Sequence, residues 1–170
     1  MPKPELAAIP PFYHNYIKQV EEGEILPALQ SSHEKVVSIL GSIPEEKWSN
    51  RYAEGKWSIL EMVQHMIDTE RIFAYRALCI ARGEKASLPG FDENAYAATS
   101  NAERRSKEDL LEEWTVVRKA TILLYQSFTE EQTINAGTAN NFPIGVDAIG
   151  FIAAGHVRHH LNILKERYGV

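Results

Sequence analysis

Two histidines set four residues apart, His156 and His160 in the stretch Gly155-His156-Val157-Arg158-His159-His160, are the residues of this chain best placed to do chemistry. On an α-helix, positions i and i+4 lie one above the other on one face, so both imidazoles can aim a ring nitrogen at a single point. A third histidine from elsewhere would complete a His₃ set with an open coordination position. An open position separates a catalytic metal centre from a sealed structural one, which generally recruits four protein ligands. The chemistry of such a centre is Lewis-acid activation of a bound water, whose pKa can fall to about 7, or of a bound thiol. Imidazole suits zinc, nickel, copper or iron, and zinc and nickel are the first expectations for this ligand set.

The elements that must carry these residues follow from the spacing of breakers and apolar positions. The chain has 170 residues, 44% hydrophobic and 24% charged, which suits one domain spanning 1–170. Pro10-Pro11 introduces a short amphipathic piece, Phe12 to Val20. A first long helix is expected from about Ile25 to Leu40, with Pro27 tolerated in its first turn. Ser58 followed by Glu61 is a capping-box pattern that starts a second helix, running to about Arg82 and ended by Gly83. Between Gly83 and Asn101 the sequence reads as a long loop of the kind usually kept for function. Ser106 with Asp109 starts a third helix to about Phe128, a polar stretch runs from Thr129 to Asn141, and a fourth helix occupies about Val146 to Tyr168. The expected fold class is therefore all-α, a four-helix bundle.

Charge and composition narrow the partners. A formal net charge of −5 with scattered Lys and Arg leaves no basic stripe for a phosphate backbone, so nucleic acid is not an expected partner. The apolar runs fall short of a membrane span and no signal-peptide core follows Met1, which predicts a cytoplasmic protein acting on a small molecule away from membranes. The only cysteine, Cys79, excludes an internal disulfide and a Cys-rich zinc module. Any metal must be held by nitrogen and oxygen.

On a helical wheel Ile149, Ile152, Ala153, His156, His160 and Ile163 share one face, and His159 falls at its edge. A lone His on an apolar face is more often a hydrogen-bonded core residue than a ligand. Two unpartnered imidazoles in a dry core, however, cost about 1–3 kcal/mol each. The residues alone leave His14, His33 and His65 open as the third arm. His14 sits in the leader, His33 among polar neighbours that read as solvated, and His65 in a long, largely apolar helix, beside its apolar arc.

Tyr52-Ala53-Glu54-Gly55-Lys56-Trp57-Ser58-Ile59, then His65, then Asp68-Thr69-Glu70-Arg71-Ile72-Phe73-Ala74-Tyr75-Arg76-Ala77, then Gly155-His156 through His160-Leu161, closely resemble the DinB-like superfamily. This is the damage-inducible four-helix group, not the DNA polymerase that shares its name. The resemblance runs from Pro10-Pro11-Phe12-Tyr13 to Tyr168. It implies an up-down-down-up bundle with a long crossover, commonly a homodimer, holding a divalent metal through three histidines that map onto His65, His156 and His160. It also implies a metal-dependent enzyme, and some members are S-transferases or isomerases using a low-molecular-weight thiol such as bacillithiol, mycothiol or glutathione.

Two function classes follow: a metal-dependent hydrolase or thiol S-transferase, or a non-catalytic bundle in which metal ties helices together for ligand binding or dimerisation. Acid–base residues are not assigned by the sequence. Asp68, Glu70, Arg71 and Arg76 read first as a solvated helix face, with Arg71 and Arg76 open either to bind an anionic substrate or to pair with those acids. Asp92 and Glu93 either cap a helix or reach the site. Tyr75 reads as a packing residue, and Trp48, Trp57 and Trp114 as core anchors. Cys79, about 21 Å along an ideal helix from His65, lies too far for direct coordination.

Overall fold

Two of the long helices begin where their capping residues place them. The computed structural model of the chain describes residues 2–170. A leader, α1 (His14–Lys18), precedes α2 (Ile25–Ser42) and α3 (Ile59–Ala81). Then come α4 (Glu93–Thr99), α5 (Lys107–Gln126) and α6 (Glu130–Thr133). A hairpin of β1 (Ala136–Ala139) and β2 (Phe142–Gly145) leads into α7 (Val146–Ile163). At the head of α3, Ser58 N–H donates to Glu61 Oε2 at 2.6 Å and Glu61 N–H to Ser58 Oγ at 3.2 Å, the reciprocal capping box. At the head of α5, Ser106 Oγ accepts from Asp109 N–H at 3.1 Å.

The four long helices form a ring in which α2 and α3 each pack against both α5 and α7. Two apolar clusters fill it. One joins Ile25 and Leu29 of α2, Phe73 and Ala77 of α3, Tyr125 of α5 and Ile149 and Ile152 of α7. The other joins Val36 and Leu40, Met62 and Met66, Leu110 and Trp114, and Val157 and Leu161 from the same four helices. The early half of α2 and of α7 thus shares a cluster with the late half of α3 and of α5. Between the clusters lies a buried polar grouping around Arg118. Its guanidinium donates to Glu70 Oε2 at 2.9 Å and to Ser32 Oγ at 3.0 Å. No helix is long and apolar enough to cross a membrane among the described residues.

Several expectations change at this level. The stretch after Gly83 is not all loop, because Asp92 Oδ1 accepts from Asn94 and Ala95 N–H and starts α4. The polar stretch from Thr129 folds as α6 and the hairpin, whose two-residue turn places Asn140 (φ 52) and Asn141 (φ 64) in the left-handed region. That is the geometry a tight hairpin turn requires, and Asn tolerates it. The last helix leaves the α conformation after Ile163 and ends in a π-helical turn, Leu164–Tyr168. Glu70 and Arg76 are buried, not solvated, and Tyr75 is exposed, not packed. His33 is half-buried, its ring 6.4 Å from that of Trp114, not free in solvent. Trp48 and Trp114 are core residues as read, whereas Trp57 is only half-buried and lines a cavity.

The leader is fixed by two devices. Arg158 of α7 donates to Gln19 O at 3.0 Å and to both carboxylate oxygens of Glu22 at 2.7 and 2.8 Å. Gly155 lets the leader backbone cross α7 closely, since a Cβ there would overlap the Tyr16 carbonyl. The residue just before His156 is therefore glycine for a steric reason, and the crossing sets the Tyr16 ring 5.4 Å from the His156 ring.

Candidate metal centre

His65 from the second turn of α3 meets His156 and His160 from α7 where these two helices pack. His65 Nε2 lies 3.1 Å from His156 Nε2, and His160 Nε2 lies 3.0 Å from the same atom. All three rings are buried. Burial lowers the pKa of His65 to about 4. For His156 and His160, burial first and neighbouring imidazoles second push protonation well below its ordinary range. The cluster is thus three neutral imidazoles at pH 7.

A neutral imidazole carries one N–H and one lone pair. His156 Nε2 can share a proton with one neighbour only, so a second close nitrogen contact is left unmatched, and His160 Nδ1 is buried without a partner. Three nitrogens bound to one tetrahedral ion at 2.0–2.1 Å stand about 3.3 Å apart, close to the spacings observed. The residues present fit a divalent ion. No Asp, Glu or Cys joins the cluster among the described residues, which leaves a coordination position unfilled by protein.

That position faces a cavity of about 250 Å³. Its floor is the three histidines with Thr69, whose Oγ1 lies 3.4 Å from His65 Nδ1. Its walls are aromatic. The Trp57 ring stands 4.8 Å from His65 and the Phe73 ring 5.8 Å from His156, while Tyr13, Tyr16 and Phe91 close the sides. Burial pushes the hydroxyls of Tyr13 and Tyr16 above their ordinary pKa, so both are neutral O–H groups at pH 7. A second cavity of about 180 Å³, reaching Lys56, Met62 and Tyr168, shares Trp57 and His160 with the first.

Of the sequence candidates, the structure gathers His65, His156 and His160 and leaves the others out. His14 bonds the Ile9 carbonyl at 2.8 Å, and His159 stands against Tyr16, half-buried at the edge predicted for it. Glu70 belongs to the Arg118 pair, Asp68 accepts from Gln64 at 2.9 Å, and Arg71 pairs with Glu113 at 2.6 Å. Asp92 is a cap, while Glu93 lines the mouth of the cavity. Sequence reasoning missed Tyr13, Tyr16, Phe73 and Asn140 as lining residues. Gly155 was the available signal for the first two, as a small residue on a buried helix next to a ligand candidate.

The model of the DinB superfamily matches residues 28–164. The leader that brings Tyr13 and Tyr16 to the cavity lies outside that stretch. The chain is 24% identical over 155 residues to a protein of Oceanobacillus iheyensis named "Putative metal-dependent hydrolase OB0413", covering 89% of this chain and 83% of the relative. Its fold is similar to that of YfiT from Bacillus subtilis, described as "a probable metal-dependent hydrolase with an unusual four-helix bundle topology". The TM-score is 0.74 and the identity 16%, over 85% of this chain and 86% of the other.

Proposed function

This chain belongs to the DinB superfamily, and from that premise we propose that it is a metal-dependent enzyme acting on a small molecule, with His65, His156 and His160 as the ligands of a divalent ion, zinc or nickel. The observation that carries the reading is the convergence of three buried, neutral imidazoles at the floor of an open cavity with no fourth protein donor among the described residues. When bound, the ion supplies Lewis-acid activation of a group in its open position. The chain's own residues do the rest. Trp57, Phe73 and Phe91 exclude water and grip an apolar body, and Tyr13 and Tyr16 offer neutral hydroxyls to orient polar atoms.

Hydrolysis is the first reaction, supported by the names of the two relatives. Transfer of a low-molecular-weight thiol to an electrophile is the second, and one observation favours it: two cavities that share Trp57 both reach His160, room for two substrates at one centre. The non-catalytic reading is weaker because a purely structural ion would draw a fourth donor from the protein. A homodimer is proposed with it, supported by the exposed Tyr75, Leu78, Val116 and Leu123 along α3 and α5, and light scattering reads it.

The test loads the purified protein with zinc or nickel and screens esters, amides and phosphoesters alongside bacillithiol, mycothiol or glutathione paired with electrophiles. Turnover that needs metal and disappears in His156→Ala supports the proposal. Turnover only with thiol present selects transfer, and none above the metal-free control supports the binding role instead.

A further inference from the structure

Three arginines of this protein are buried, and two of them have carboxylate partners: Arg118 with Glu70 at 2.9 Å and Arg158 with Glu22 at 2.7 Å. Arg76 is 4% exposed and has none among the described residues. Its Nη2 donates to the Pro89 carbonyl at 2.7 Å, the Tyr13 hydroxyl beside it is neutral at pH 7, and Glu93 lines the same cavity without pairing with it. A guanidinium presents five N–H donors in a fixed fork, and donation to one carbonyl leaves further N–H groups for the cavity that Arg76 lines. A buried cation without a counter-charge is costly, and such groups are retained where something pairs with them. Arg76 lines the same cavity as the three histidines, three turns along α3 from His65.

The surroundings hold this arginine in place. Pro89 belongs to a segment strapped to the hairpin, with Leu88 N–H donating to Thr138 O and Asn140 N–H to Leu88 O, both at 2.9 Å. Gly90 lets the Asn140 side chain lie against the backbone of that segment, which a Cβ would prevent. The segment carries Phe91 to the cavity wall. Arg76 is therefore fixed in the wall of the aromatic-lined cavity whose floor is the candidate metal centre.

We propose that Arg76 is the anion anchor of this site, and that the substrate is a small molecule bearing a carboxylate or similar oxyanion on an apolar or aromatic body, its anionic end on Arg76 and its reacting end toward His65, His156 and His160. The proposal rests on the metal-enzyme reading above and narrows its substrate class. Arg76 is also the staple of the Pro89 segment, and loss of that staple alone would weaken all ligands alike.

The experiment measures binding of benzoate and of its neutral analogue benzamide to zinc-loaded protein, by quenching of Trp fluorescence, in wild type, Arg76→Gln and Arg76→Lys. Zinc content is measured on each sample: absence of zinc overturns the metal reading, and the same benzoate preference read on the metal-free protein then decides the anchor. With zinc bound, wild type should prefer benzoate at least tenfold. Arg76→Gln should lose most of that preference with benzamide affinity little changed, and Arg76→Lys, which keeps the charge, should retain most of it. A wild-type preference near one overturns the proposal whether or not the variants fold. So does an Arg76→Gln protein that keeps the wild-type preference, because the ion alone would then select the anion.

Discussion

Two buried polar groupings sit in this bundle, and they differ in whether the protein supplies a matching charge. Around Arg118, which is fully buried, the charge of the guanidinium is matched by Glu70, 1% exposed, and its other contacts go to Ser32 Oγ and to the carbonyls of Leu29 and Ala153. At the histidine cluster nothing matches. Three neutral rings converge, a nitrogen contact is left unpaired and His160 Nδ1 has no partner. Glu70 Oε1 and Arg118 Nε are also buried without partners, but there two opposite charges meet, whereas at the cluster three nitrogens converge on one point with no counterpart from the chain. The first grouping joins four helices around one ion pair, and the second is the grouping that a divalent ion fits.

The contrast can be broken by acid. Unfolded imidazoles titrate near 6.5, whereas burial holds His65 at about 4 and His156 and His160 well below their ordinary value. Between those values the unfolded chain binds more protons than the folded one. The contribution of these groups to the stability of metal-free protein is therefore full above about pH 6.5 and is lost as pH falls toward 4. Thermal melts across that window should show a falling Tm, and the fall should shrink in His65→Leu. A Tm that does not change between pH 7 and 4.5 contradicts the neutral cluster.

Substitution sharpens the contrast from the other side. Arg118→Met leaves Glu70 buried and unpaired and should cost about 3–5 kcal/mol in denaturant unfolding, most of it recovered by adding Glu70→Leu. In metal-free protein His156→Leu should cost less than about 1 kcal/mol, because it removes a polar group that lacks full partners. Equal losses in the two variants would erase the distinction.

Gly155→Ala should have a smaller effect, about 1–3 kcal/mol, by forcing the leader off α7. It should also loosen ligand binding, since Tyr13 and Tyr16 move with the leader. Unchanged stability and binding would show that the crossing at Gly155 does not set the cavity wall.

Much of the bundle was legible because its signals are local. Ser58 with Glu61 and Ser106 with Asp109 act within one turn, and the pair His156 and His160 needs only the helical period. Glu70 was not legible as a core residue because its partner, Arg118, is 48 positions away and only the packing of α3 against α5 brings them together. Asn140-Asn141 was a turn signal that went unread inside a polar stretch, with the result that the hairpin, and the strap that holds Phe91 over the cavity, were missed. His65 stood out among the remaining histidines as the one within a long, largely apolar helix, but its wheel position beside the apolar arc left the choice to the resemblance. The wall residues Tyr13 and Tyr16 come from a leader whose route depends on a close contact at Gly155, which no local pattern specifies.

The most direct measurement is metal content by mass spectrometry on protein equilibrated with zinc or nickel and then freed of excess ion. One ion per chain is expected for wild type and for His33→Ala, and none for His156→Ala or for the protein with His65, His156 and His160 all replaced by alanine. Stoichiometric metal retained in that triple variant would contradict the His₃ centre.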